Sequence, residues 1–280
     1  MAAGDISEAF IKQFESEVHL AYQRMGSKLR NTVRVKNGVA GASTTFQKAG
    51  TGAASQKGRK ANVTPMTIVH SNVECTLADW YAADYVDKLD EIKVNIDERN
   101  VITQNAAGAL GRKTDEMIVT AMGTTTNKQT EAGTKRLVDS ATSFPKITKE
   151  YARFGMADIP DDGNRFWAVG PEQWIDLLSI TAFSSADYVG MDQLPYKNGM
   201  SAKMWMSFMF MQFTGLPVAT NITKTYAWHR SAVGHAVGAD ITAEINYIPE
   251  KVSHLATAYM SQGSVLIDAA GVGEIGAYAA

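Results

Sequence analysis

The sequence has a single cysteine, Cys75, so no disulfide can close within the chain, and a reducing compartment such as a bacterial cytoplasm suits its folding. A lone cysteine is ordinarily a small buried apolar residue. No run approaches the ~20 consecutive apolar residues of a membrane helix. The richest, Met204 to Phe213, is interrupted by Ser207 and Gln212. The N-terminal stretch MAAGDISEAFIKQFESEV alternates acids with apolar residues and lacks a basic segment ahead of an apolar one, which excludes a secretory signal. The sequons Asn62-Val63-Thr64 and Asn221-Ile222-Thr223 therefore carry no consequence. Neither G-x-x-x-x-G-K-[ST] nor G-x-S-x-G occurs, which removes the commonest signs of a phosphate loop and of a serine hydrolase.

Acidic residues are missing altogether from Val18 to Val73, although nine basic ones are present: Arg24, Lys28, Arg30, Arg34, Lys36, Lys48, Lys57, Arg59 and Lys60. The next segment reverses this. Glu74, Asp79, Asp84, Asp87, Asp90, Glu91, Asp97 and Glu98 face only Lys88, Lys93 and Arg99. A net charge of -2 thus conceals two complementary electrostatic segments. With 45% hydrophobic and 20% charged residues over 280 positions, the chain folds and buries a core, as one large or two intertwined domains.

Phe10, Phe14, Val18, Tyr22, Met25 and Leu29 recur three or four apart, which predicts an amphipathic helix over 6–30 that seeks a partner surface. Strands are predicted over 32–36 and 43–48, with Asn37-Gly38 between them as a hairpin signal. Residues 49–62, AGTGAASQKGRKAN, hold no large apolar side chain and only basic charge; such an arm gains order on another chain. Strand character returns over 63–77, and TLADWYAADYVDKLDEI is predicted to begin helical structure near a cap at Thr76. Residues 95–122 lack proline and place Ile96, Ile102, Ala106, Ala109, Leu110, Met117 and Met122 near helical period, a rod of about 40 Å. Gly123 and TTTNKQTEAGT end it. Helices over 148–156 and 171–180 and strands over 165–169 and 205–211 form a compact α/β unit. Strands over 244–247, 254–260 and 264–267, separated by Pro249 and Gly263, close the chain.

Chemistry finds little support. Among His19, His70, His229, His235 and His254 no pair has the i, i+4 spacing of helical metal ligands, and only Asp240 lies at ligand spacing from His229 and His235. Gly271 to Gly276, GVGEIG, match a dinucleotide loop in letters, but too few residues follow for the required helix, and a flexible tail is expected. Asp161-Asp162 in IPDDGNR read as a turn. MWMSFMFMQF reads as a buried strand in preference to an adhesive surface. No catalytic, cofactor-binding or metal-ligating residue is assigned, and no cofactor. The basic segment would bind phosphates with steep salt dependence. Beyond the first helix it holds only Phe46 for stacking, and the acidic segment of a neighbouring copy explains its charge equally well.

The order of parts, and TTFQKAGTGAAS, DYVDKLDEIKVNIDERNVITQNAAGALGRKTDEMIV and NRFWAVGPEQWIDLL in particular, resembles the major capsid proteins of tailed phages, podovirus-like members of the Hong Kong 97-type fold. The first piece is similar to the start of the family's extended loop, the second to its spine helix, the third to the strand, proline turn and helix of its axial domain. The resemblance implies an α+β chain with an N-terminal arm (1–31), an extended β-hairpin loop (32–78), a peripheral domain with the spine helix (79–135 and 239–280) and an axial domain (136–238). It implies a non-catalytic virion shell subunit that assembles with itself as pentamers and hexamers into an icosahedral head around dsDNA, with assembly in the host cytoplasm. Implied partners are a portal, a scaffolding protein, a decoration protein and the packaged dsDNA through non-specific contacts, with no membrane. No long scaffolding segment precedes the arm and Met1 opens the sequence, so a separate scaffolding protein is expected. Certain members crosslink a loop lysine to a neighbour's asparagine; Lys48, Lys57 and Lys60 lie in that region, and no partner is assigned. The alternatives are an encapsulin-like compartment, which shares the fold, and a basic nucleic-acid-binding module.

Overall fold

A computed structural model describes residues 26–89, 98–129, 136–138, 143–184 and 202–278. A 3-10 turn at Arg30–Thr32 leads into strand β1 (Arg34–Asn37), followed by β2 (Ser43–Ala49), β3 (His70–Thr76) and β4 (Ala78–Asp87). Helix α1 (Glu98–Met122) precedes the two-residue β5 (Lys128–Gln129), α2 (Pro145–Met156), β6 (Arg165–Val169), α3 (Pro171–Leu178) and the single turn α4 (Thr181–Ser184). Then come β7 (Ala202–Trp205), β8 (Phe208–Gln212), β9 (Val218–Ala219), β10 (Ile222–His229), β11 (Val233–Ile248), β12 (Ser253–Leu266) and β13 (Val272–Tyr278). Residues 6–25 of the predicted helix lie outside the described residues, while 26–29 are not helical and Arg30 opens the 3-10 turn.

The chain forms two compact units. One takes in Trp80–Gly111 and Ile241–Met260, hence most of β4, the first half of α1 and the paired ends of β11 and β12. Its strands belong to a sheet of order β1-β11-β12-β4. Residues 78–87 form a strand where a helix was expected. Trp80, Ala82 and Val86 are the more sheltered positions while Tyr81, Asp84, Tyr85 and Asp87 face out, and aromatic and β-branched side chains suit a half-buried pleat better than a helix. At the turn from β11 to β12, Val252 adopts φ 49°, an unusual place for a β-branched residue.

The other unit, Ser27–Asp79, Arg112–Asp240 and Ser261–Ala280, is built on a seven-stranded sheet of order β5-β13-β10-β6-β8-β7, with β9 on β10. Its aromatic core stacks Trp167 on Phe210 (5.2 Å, 20° between planes) and sets Phe154 and Trp167 edge-on to Phe208, with Ile147, Trp174, Leu177 and Phe183 around them. Each such side chain removed from water contributes about 1.5–3 kcal/mol. A second cluster joins Leu29 and Val33 to Ile118 and Met122 of α1 and to Trp228 and Val233.

Several expectations fail here, the first and the last because strands choose partners far away in sequence. β1 does not form a hairpin with β2. It lies parallel on β11, Val35 opposite His235, and Val39 N–H continues the ladder to the Val237 carbonyl; β2 pairs with β3 instead. The stretch 205–211 is two strands, because Met206 and Ser207 take φ 47° and 64° and turn β7 back on β8. The strands predicted over 254–260 and 264–267 are one strand, β12, uninterrupted at Gly263. Gly271–Gly276 is no tail. β13 pairs along β10 from Ile222↔Tyr278 to Trp228↔Val272, and Val272, Gly273, Glu274 and Ile275 are buried. Gly273 admits the buried carboxylate of Glu150, which a Cβ there would strike. This pairing sets the last strand in the same sheet as β6 and β10.

Candidate assembly surfaces

The β2–β3 hairpin is anchored at its base and bare beyond it. Phe46 and Cys75 sink into a small cluster with Ala236 and Ile267, and Gly234 makes room, since a Cβ there would lie 2.8 Å from the Phe46 ring. Burial pushes the Cys75 thiol up, away from reactivity. Lys48 pairs with Asp268 at 2.7 Å, and the Arg34 guanidinium lies 5.8 Å from the centre of the Phe46 ring. Gly50 N–H closes the last rung to the Val69 carbonyl at 2.8 Å.

Between those two residues no regular structure forms and every side chain is exposed. A tight turn, Ala61 N–H to the Gly58 carbonyl with Lys60 at φ 66°, presents Lys57, Arg59 and Lys60, which make no ion pair among the described residues. Val63 (69% exposed), Met66 and Val69 (72%) lie beside them. Fixing each residue of such a segment costs about 1–2 kcal/mol in backbone entropy, and nothing in its own unit offsets that. The segment holds apolar area and positive charge in a form that only a second surface can bury.

The acidic segment is divided by the fold. Glu74 stands on β3 opposite Thr45, Asp79, Asp84 and Asp87 are exposed on β4, and Glu98 opens α1. Asp90, Glu91 and Asp97 lie outside the described residues. β4, β11 and β12 carry a tyrosine surface: Tyr81 and Tyr259 rings are 6.4 Å apart, Lys251 caps Tyr85 at 3.9 Å, and Lys88 lies over Tyr247 at 5.6 Å. A hydrogen bond to Glu244 raises the Tyr259 phenol above its ordinary value.

A third feature has no counterpart in the sequence reading. Asp115, fully buried on α1, accepts from Ser27 Oγ (2.5 Å), Lys28 N (3.2 Å) and Leu29 N (3.0 Å), while Arg30 grips Asp240 with two bonds of 2.8 and 2.9 Å. Together they fasten the point from which residues 1–26 depart. The one available sign was an acid placed inside a helix face among apolar neighbours.

Residues tested for chemistry are placed apart. His229 uses Nδ1 for the Ser231 amide and hydroxyl and Nε2 for Asp162, tying the 160–164 turn to the end of β10. Bonds from Asn164, then His229, hold the Asp162 carboxyl at about 2. The 161–164 segment is the turn that was expected, with Gly163 at φ 77°. His235 is buried beside Ser264, His254 lies against Tyr247, His70 is exposed on β3, and His19 is outside the described residues. Among the described residues no three of His, Cys, Asp and Glu are grouped to hold a metal. Asn62 is exposed in the loop and Asn221 is in a tight turn at φ 61°. In MWMSFMFMQF, Phe208 and Phe210 are core and Met204 is exposed.

The family model described as phage capsid protein matches residues 6–278. The chain belongs to the phage capsid protein family. Its role is that of a major capsid protein, located in the virion shell, and its mixed fold is of the Hong Kong 97 type. The capsid structure of cyanophage P-SCSP1u superimposes with a TM-score of 0.75 at 18% identity, covering 100% of this chain and 95% of the other. The cyanophage Pam1 capsid gives 0.75 at 15% identity with 100% of both chains covered, and Mycobacterium phage Che8 gives 0.74 at 18% with 98% of both. No curated protein matches.

Proposed function

We propose that this capsid protein assembles as pentamers and hexamers into the icosahedral head that encloses phage dsDNA, and that it does so without catalysing a reaction. Residues 1–31 act as an arm and 32–78 as the extended loop. The peripheral part combines α1 with the long strands β4, β11 and β12. The axial part comprises the seven-stranded sheet and its helices, to which β13 is added. The observation that carries this reading is the segment 51–68, exposed throughout, with Lys57, Arg59 and Lys60, which make no ion pair among the described residues, near Val63 and Met66 in sequence. Such a segment is suited to lie over the acidic 74–98 region of an adjacent subunit, where opposite charges fix register and many weak contacts, repeated by symmetry, hold a shell. Portal, scaffolding and decoration proteins are its further partners, DNA is met without base recognition, and the shell forms in the host cytoplasm.

The test is electron microscopy of the purified full chain, expressed with and without its neighbouring phage genes. Closed shells or rings of five and six are expected from the wild type. The pair Arg59→Glu and Lys60→Glu is expected to abolish them while circular dichroism and melting stay unchanged; intact shells from that variant sink the loop assignment. Wild-type monomers under every condition, binding DNA with steep salt dependence, would replace the shell reading with a nucleic-acid-binding one.

A further inference from the structure

The parallel pairing of β1 on β11 sets Val35 opposite His235, and the two bonds from Arg30 to Asp240 close the other end of the same attachment. His235 has no exposed surface. Its Nδ1 meets Ser264 Oγ at 2.9 Å, and its Nε2 is buried without a hydrogen-bond partner. The charged groups acting on the ring are Arg30 from the turn before β1 and Asp240 from β11; β12 contributes only the uncharged Gln262, Gly263 and Ser264. Gln262 is itself engaged, accepting from Thr114 Oγ1 at 2.8 Å and reaching Asp240 at 3.4 Å.

A proton on Nε2 therefore adds a second cation next to Arg30, where the carboxylate that acts on the ring, Asp240, already accepts from Arg30 and Gln262. Burial first, then Arg30, hold this imidazole down at about 4, against an ordinary 6.5. The sign follows from proton counting. The opened chain binds the proton more readily, so the attachment is at full strength above pH 6.5 and weakens as pH falls from 6.5 toward 4.

We infer that His235 is an acid-sensitive latch for residues 27–37: protonated, it loosens β1 and the Arg30–Asp240 clasp and frees the root of the N-terminal segment before the seven-stranded sheet is affected. The inference holds for the chain whether or not residues 1–26 lie on a neighbour.

Amide hydrogen exchange on the purified chain, corrected for the intrinsic effect of pH on exchange, tests it. In the wild type, protection over 28–37 is expected to fall on the order of 50-fold between pH 7.5 and 4.5, while that of 222–229 in β10 changes little. In His235→Gln, which cannot take the proton, the fall over 28–37 shrinks to less than about threefold. Parallel losses in both proteins, or simultaneous loss over 222–229, overturn the latch. If the variant does not fold, the wild type decides alone: loss over 28–37 that sets in near pH 6.5 supports the latch, and unchanged protection down to pH 4.5 overturns it.

Discussion

Glu150 shows how one side chain constrains several elements. It is fully buried on α2 and accepts from Arg153 Nε (3.0 Å) and Nη2 (2.6 Å) and from Gln129 Nε2 (2.8 Å) of β5. Arg153 also donates to the Ala270 carbonyl just ahead of β13 at 2.6 Å. The carboxylate can occupy that position only because residue 273 is glycine. Gly273→Val is expected to cost about 2–4 kcal/mol, read as a fall in the urea midpoint, because backbone and a pinned ion pair must both shift. Glu150→Ala alone is expected to cost about 3 kcal/mol by leaving Arg153 and Gln129 without their shared acceptor. In the Glu150→Ala background the cost of Gly273→Ala should nearly vanish. A double-mutant cycle with no coupling would show that the two residues do not compete for space.

Among elements, the segment 27–33 is held to α1 and β10 in a way that ordinary burial would not achieve. Leu29 and Val33 bury apolar surface, but the backbone amides of Lys28 and Leu29 are satisfied by Asp115 and the Thr32 carbonyl accepts from Trp228 Nε1 at 3.0 Å. Asp115→Ala would strand two amides and the Ser27 hydroxyl, with an expected loss of about 2–4 kcal/mol and early proteolytic cleavage between 27 and 37. Asp115→Asn, which keeps one acceptor oxygen, should lose about half as much. Equal stability of all three proteins in denaturant would mean that the apolar contacts of Leu29 and Val33 suffice. The hairpin differs in kind, because its fixed part ends at the Gly50–Val69 rung and everything beyond contributes area but no core.

For the whole molecule that division predicts a separation of folding from assembly. Replacing 51–68 with a two-residue Asn-Gly turn should leave the melting temperature within about 3 °C of wild type, since a shorter loop costs slightly less entropy to close. Shells should be absent under conditions where the wild type forms them. Shells from the shortened chain, or its failure to fold, would each refute this separation. The same contrast separates what was legible in the sequence from what was not. The helix Glu98–Met122 announces itself through a long 3.6-residue period without proline, β6 and α3 through a β-rich run, Gly170-Pro171 and an amphipathic turn, and the loop through its lack of large apolar residues over 49–62. These are local properties, and their shared order sufficed to reveal the family. The partner of β1, the extended state of 78–87 and the burial of 272–278 were decided only by tertiary structure. A strand's free energy resides in hydrogen bonds and side-chain contacts with residues up to two hundred positions away, as for Val35 and His235. The small residues of GVGEIG, which by themselves suggest a tail, fit a core strand because Glu150 and β10 approach too closely to admit larger ones.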